Sequence, residues 1–250
     1  MYYLFDLDGT IVLTDNIYLE TFKIILNDNN ITLEWFQKNI QGKSDNVVFK
    51  QLFKDKANDK QFIDFMSKEK DRVFIKLIEN IEIKLIIGAV DFIRYLNYYN
   101  LKCSIITNCN RKACVAILKK IDIYELVDFV IIGNECNRPK PYPDPYLEAI
   151  KLYQTCPEKC IVFEDSPSGL LSAKTAGISC VIDIESTFSN EYLKKFSPDF
   201  TIKNFELNFG HFIEKIYITQ KINNENILNI AIRCKKTLNN LNIPVDYIII

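Results

Sequence analysis

From Leu101 onward the chain alternates short runs of β-branched residues with helix-length amphipathic stretches, and this alternation constrains the fold more than any other feature. Residues 103–106, 130–132, 161–163 and 180–182 read as strands with helical segments between them. Strands that recur with a helix after each one predict a parallel sheet, since parallel neighbours need a crossover and the crossover helices cover both faces. Tyr2–Phe5 is a further buried-strand candidate, but almost a hundred residues separate it from the next one.

The intervening stretch reads as helices. Tyr18, Phe22, Ile25 and Leu26 fall at helical intervals, as do Val47, Val48, Gln51 and Leu52, and then Phe62, Phe65, Met66, Val73 and Leu77. The fold class expected is α/β, a Rossmann-like parallel sheet core with an inserted all-helical cap domain. Residues 1–14 and 87–205 would form the core, 15–86 the cap, and 206–250 a C-terminal extension. The crossings near 13–15 and 83–88 are the natural hinges. Within the extension, 212–218, 224–241 and 245–250 suit an extra layer, an edge strand or an oligomer contact, and no chemistry is visible there.

Composition removes several function classes. Thirty-one Lys and Arg against 32 Asp and Glu leave a net charge of −1, so no overall basic field exists to hold nucleic acid or an anionic membrane. The amino terminus lacks the basic and long apolar regions of a signal peptide, and no apolar run approaches the ~20 residues of a membrane span, so a cytoplasmic location is expected. Eight cysteines without a CxxC pair read as reduced, mostly buried thiols. The single histidine, His211, leaves any metal chemistry to carboxylates.

In an open parallel sheet the ligand lies outside the carboxyl ends of the strands. Tyr2–Phe5 runs into Asp6 and Asp8, the second strand into Thr107 and Asn108, the third into a loop holding Lys140, and the fourth into Glu164 and Asp165. Two carboxylates ~4 Å apart repel by roughly 4 kcal/mol at an effective dielectric near 20. Such a cluster needs a cation to stay ionised, and a hard divalent ion with oxygen ligands, Mg²⁺ above all, suits it without histidine.

These residues carry a resemblance. Asp6-Leu7-Asp8-Gly9-Thr10 resembles the DxDGT signature of the haloacid dehalogenase (HAD) phosphatase superfamily. Ile105-Ile106-Thr107-Asn108, Lys140 in its proline-rich loop, and Glu164-Asp165-Ser166-Pro167-Ser168-Gly169 resemble its second, third and fourth motifs, in order. Helices inserted directly after the first motif are similar to the subgroup that includes β-phosphoglucomutase, phosphoglycolate phosphatase and pseudouridine-monophosphate phosphatase. The resemblance implies a Mg²⁺-dependent phosphatase acting on a small phosphomonoester (a sugar, nucleoside or glycolate phosphate), with no nucleic acid or membrane partner, as a monomer or homodimer. Asp6 would be the nucleophile that becomes an aspartyl-phosphate, and Asp8 the acid and base, its carbonyl also on the metal. Asp6 and Asp165 would ligate Mg²⁺ with Glu164 beside them, directly or through water. Thr107, the Asn108 amide and Lys140 would hold the phosphoryl group.

Plainer readings stand beside these. Asp6 and Asp8 suit a turn, Asp165 ahead of Ser166-Pro167 suits a helix start, Thr107 suits a strand end, and a lysine in a proline-rich loop is ordinarily solvated. Cys109 reads as a bystander thiol and Trp35 as cap core. The match also departs from its pattern. Leu13 replaces an acid common after DxDGT, while Thr14 keeps the usual hydroxyl. Residues 41–45 resemble a substrate-specificity loop, which makes Lys43, Ser44 and Asp45, with Thr14, the specificity candidates. Asp45 and Tyr18 stand where β-phosphoglucomutases carry an arginine and a histidine, which argues against a mutase. The alternatives are a sugar phosphomutase of that type and a non-catalytic ligand-binding protein on the same scaffold.

Overall fold

The computed structural model describes residues 1–41 and 43–206, and Met1–Lys203 forms one compact unit. His211 and the segments 212–218, 224–241 and 245–250 lie outside the described residues.

Six parallel strands make the main sheet: β1 (Tyr2–Phe5), β4 (Lys102–Thr107), β5 (Phe129–Ile132), β6 (Cys160–Glu164), β7 (Cys180–Ile184) and β8 (Phe200–Ile202), in the order β5-β4-β1-β6-β7-β8. β1 is central, with Phe5 in register with Ile105 on one side and Phe163 on the other. That register sets the site, because Asp6 follows Phe5 just as Glu164 follows Phe163, and the two leave the sheet at one level. The Asp6 N–H still donates to the Phe163 carbonyl at 3.0 Å, so the backbone is fixed one residue past the strand.

Burial on both faces explains the unbroken apolar runs. One face packs Leu4, Ile106, Val162 and Val181 against Tyr146, Ala149 and Ile150 of α7 (Asp144–Leu152) and Leu170 and Ala173 of α8 (Pro167–Thr175). On the other, Phe5 stacks on Phe163 at 4.7 Å, and Phe92 of α5 (Ala89–Tyr98) meets both edge-on. α6 (Arg111–Lys120) and the short α9 (Asn190–Leu193) complete the helices of the core. Period-2 alternation thus divides each strand between two apolar layers.

The inserted helices are α1 (Asp15–Leu26), α2 (Leu33–Asn39), α3 (Asp45–Leu52) and α4 (Lys60–Asn80). Thr32 caps α2 by accepting from the Trp35 N–H, and Asp59 caps α4 by accepting from that of Phe62. Leu19, Phe22, Phe36, Val48, Phe49, Ile63 and Met66 form a hydrophobic core of their own, with Trp35 packed against it. Val47 and Phe65, which share the helical spacing, are instead about half exposed. At the two crossings a small antiparallel pair, β2 (Val12–Leu13) and β3 (Lys84–Leu85), joins the entering and leaving chain. Lys120 of α6 donates to the carbonyls of Ile78, Glu79 and Ile81, so a core lysine closes the C-terminal end of α4. Among the described residues no helix is long and apolar enough to cross a membrane.

Candidate active site

Three strand ends and one loop converge at the carboxyl edge of the sheet. The Lys140 ammonium sits 2.7 Å from Asp6 Oδ1, 2.5 Å from Glu164 Oε1 and 2.6 Å from the Ile106 carbonyl, and it is buried. A solvated lysine is therefore excluded, and the amine is a fixed charge between two carboxylates. Asn108 fixes the Lys140 backbone from both sides: its side-chain N–H donates to the Lys140 carbonyl, and its Oδ1 accepts from the Lys140 N–H, at 3.0 and 3.1 Å. The Asn108 side chain thus anchors the loop that carries Lys140. Thr107, the last residue of β4, accepts from the Cys109 N–H at 3.0 Å and keeps its hydroxyl proton for another acceptor.

Asp6, Glu164 and Asp165 bring carboxylate oxygens within 4.8 Å of one another, all three residues buried. Glu164 is fully engaged: Oε1 takes Lys140 and the Tyr146 hydroxyl, and Oε2 takes the Ser166 hydroxyl. Asp165 accepts from Thr10 at 3.2 Å and from Thr187. The helix-start role falls to Ser166, which caps α8 through the Gly169 N–H. Gly9 sits at φ +86°, where a Cβ would stand 2.0 Å from Asp165 Oδ2, so the turn after Asp8 requires glycine twice over.

Three carboxylates against one ammonium leave two negative charges uncompensated. Burial first, then Glu164 and Asp8, push the Asp6 carboxyl up to about 8 against the pull of Lys140. Burial, followed by repulsion from Asp6 and Glu164, raises Asp165 well above the carboxylate range. Burial alone would lower the Lys140 ammonium, but Asp6 and Glu164 hold it above the ordinary lysine value. A buried set of hard oxygen donors with excess negative charge fits a divalent cation.

Asp8 lies beside this cluster. The Thr14 hydroxyl donates to its Oδ1 at 2.6 Å, and the Cys109 thiol is a second donor. Burial raises the Asp8 carboxyl despite both. Burial and the nearby Asp8 charge push the Cys109 thiol far up, so it stays protonated and is no nucleophile.

Thr14 thus reaches the site, whereas the Lys43 ammonium turns back onto the Lys38 and Asn39 carbonyls and the Gln51 side chain. Ser44 stands at the N-cap position of α3 with no side-chain capping bond, and Asp45 is ion-paired to Lys70 at 2.7 Å. Sequence reading missed Lys70, Tyr146, Thr10 and Thr187. Thr10 belongs to the DxDGT run and was open to notice. Tyr146 closes the proline-rich run around Lys140, while Lys70 and Thr187 lie outside the four motifs, on elements whose approach only the fold reveals.

The chain is similar to known phosphatases and phosphomutases. A phosphorylated carbohydrates phosphatase of Thermotoga maritima is 24% identical over 185 residues, covering 72% of this chain and 83% of that protein. The β-phosphoglucomutase of Clostridium difficile superposes with a TM-score of 0.72 at 22% identity, covering 87% of this chain and 98% of that one. A CbbY variant from Rhodobacter sphaeroides, solved with xylulose-1,5-bisphosphate, gives 0.72 at 21% identity over 83% of this chain and 96% of that one. These two likenesses place the fold. The model of the haloacid dehalogenase-like hydrolase family matches residues 3–182, and the chain belongs to that family of hydrolases.

Proposed function

We propose that the chain is a Mg²⁺-dependent phosphatase that hydrolyses a small phosphomonoester through an aspartyl-phosphate on Asp6. The observation that carries this reading is the Asp6 carboxylate held 2.7 Å from a buried ammonium, with the carboxyl of Asp8 beside it under a separate hydrogen bond from Thr14, at the entry to the cap. On this reading one carboxylate attacks and the other carries a proton.

In the first step an Asp6 oxygen forms a bond to phosphorus as the bond to the ester oxygen breaks, and Asp8 gives its proton to that leaving oxygen. The raised Asp8 carboxyl suits this role, since a general acid must hold a proton near neutral pH. In the second step water attacks phosphorus, Asp8 takes the water's proton, and inorganic phosphate leaves as Asp6 is regenerated. Lys140, the Thr107 hydroxyl and the Asn108 N–H neutralise and hold the phosphoryl oxygens. Asp6, the Asp8 carbonyl and Asp165 would hold Mg²⁺, with Glu164 beside them, and the ion supplies neutralisation of the acidic cluster and of the phosphoryl charge. The cap over 15–86 excludes bulk water and macromolecules from the core over 1–14 and 87–205, which favours a metabolite in the cytoplasm as substrate.

The likeness to β-phosphoglucomutase favours a mutase as second reading, but Asp45 in an ion pair with Lys70 argues against a mutase's second phosphate site. Purified protein should release phosphate from an aryl phosphate with Mg²⁺ and lose that activity on Asp6→Asn. Equal activity in EDTA would sink the proposal. Conversion of a sugar 1-phosphate to its 6-phosphate without free phosphate would install the mutase in its place.

A further inference from the structure

The cap residues that interact with Asp8 or with its neighbour Tyr18 bear on what the ester carries beyond its phosphate, an inference that rests on the phosphatase reading above. Contacts run continuously from the core to these residues. Cys109, a donor to Asp8, lies 3.8 Å from the Tyr18 hydroxyl; the Tyr18 ring stacks on Phe74 at 4.1 Å; and the Lys70 ammonium stands 6.0 Å over that ring. Asp8 also feels the charge of Lys70, Tyr18 that of Asp45, and Asp15 that of Asp8. Lys70 is the one cation in this group, and its charge is already taken. Both Asp45 oxygens accept from it, at 2.8 and 2.7 Å, and Asp71 stands at 3.2 Å, with the lysine side chain only 12% exposed. Burial alone would lower the Lys70 ammonium, yet Asp45 and Asp71 hold it above the ordinary lysine range. Asp15, meanwhile, has only the uncharged Gln41 amide, at 2.7 Å.

Asp15, Asp45 and Asp71 set three carboxylates against the single Lys70 ammonium, a net negative balance in this part of the cap, while Asp15, Asp45 and the Tyr18 oxygen offer acceptors for hydroxyl protons. A second phosphate or carboxylate on the substrate would have to take Lys70 from Asp45 and face the freed carboxylate as well. We infer that Asp45, by claiming Lys70, sets specificity for phosphomonoesters of uncharged, hydroxyl-bearing alcohols and excludes esters that carry a second anionic group. Among small phosphates this selects polyol and sugar monophosphates over phosphoglycolate and over bisphosphates.

Glycerol 3-phosphate and 3-phosphoglycerate test it, since they differ chiefly in an alcohol or a carboxylate at the far end. Each is measured as substrate and as competitor of aryl-phosphate hydrolysis, on the wild type, Asp45→Asn and Asp45→Asn/Lys70→Met. The wild type should favour the alcohol by at least about 10-fold in kcat/KM or in inhibition constant. Asp45→Asn should raise the carboxylate-to-alcohol ratio by about 10-fold, and the double variant should lose that gain because the freed cation is gone. Circular dichroism and thermal unfolding report folding in each variant. A wild type indifferent to the second anion, or a ratio unmoved by Asp45→Asn, overturns the inference alone. No phosphate release from any ester overturns the phosphatase reading and the inference together.

Discussion

Asp183 offers a stability prediction that can be worked through from the structure. It lies on β7 in register with Glu164 on one side and Thr201 on the other, is fully buried, and among the described residues no cation offsets its carboxylate, toward which the Thr201 hydroxyl acts as a donor. Burial, with help from Glu185 and Glu164, pushes its carboxyl from 3.8 up to about 6 against the opposing Thr201 hydrogen bond. An acid raised on folding binds its proton more tightly in the native state, so its contribution to stability is full below pH 3.8 and is lost as pH rises through 6. A shift of about two units corresponds to about 3 kcal/mol in total, of which about 2 kcal/mol falls between pH 4 and pH 7. Asp183→Asn removes the titration at nearly constant volume. Its buried amide carries a cost of its own, but that cost does not vary with pH, so the readout is the difference between two conditions. Thermal unfolding followed by circular dichroism should place the variant higher relative to wild type at pH 7 than at pH 4, by about 4–8 °C. The same offset at both pH values, or a larger one at pH 4, would refute the claim that a buried, unpaired charge is the cause.

Two further substitutions probe the site. A Cβ at Gly169 would fall 1.8–1.9 Å from the Glu164 carboxyl atoms, so Gly169→Ala must displace Glu164 and with it a partner of Lys140; phosphate release should fall at least about 100-fold, with a stability loss of about 2 kcal/mol or more by chemical denaturation. Thr14→Val removes the 2.6 Å hydrogen bond that opposes the effect of burial on Asp8, so the Asp8 carboxyl should rise further, moving the alkaline limb of the kcat/KM profile to higher pH while kcat falls about 10-fold.

How far the sequence was legible depends on the range over which each signal acts. β1, β4, β6 and β7 announce themselves because burial on both faces demands unbroken apolar runs, and the polar residue ending each run is where the fold brings chemistry together. Asp6 and Glu164 were readable for that reason, whereas Lys140, eight residues beyond the end of β5, stood out only through the family resemblance, which also assigned the roles of all three. β2 and β3 were not readable as strands, since two residues carry no period and their pairing joins positions some seventy residues apart. Lys70 was invisible for a similar reason: it is an ordinary mid-helix lysine until α4 packs beside α3 and Asp45 meets it from 25 positions away. Lys43 shows the converse. Its place in the 41–45 loop suggested the substrate region, but the unsatisfied carbonyls at the end of α2 lie closer and take the ammonium.

The claim at the centre of this account is that Asp6 carries the phosphoryl group. Acid quenching during steady turnover of an aryl phosphate, followed by borohydride reduction and peptide mass spectrometry, reads this directly, because an acyl phosphate is reduced to the alcohol at the residue that bore it. The account predicts homoserine at position 6, its yield depending on substrate and its formation abolished by Asp6→Asn. Active enzyme that turns over with Asp6 unmodified, or with the label on another residue, would contradict it.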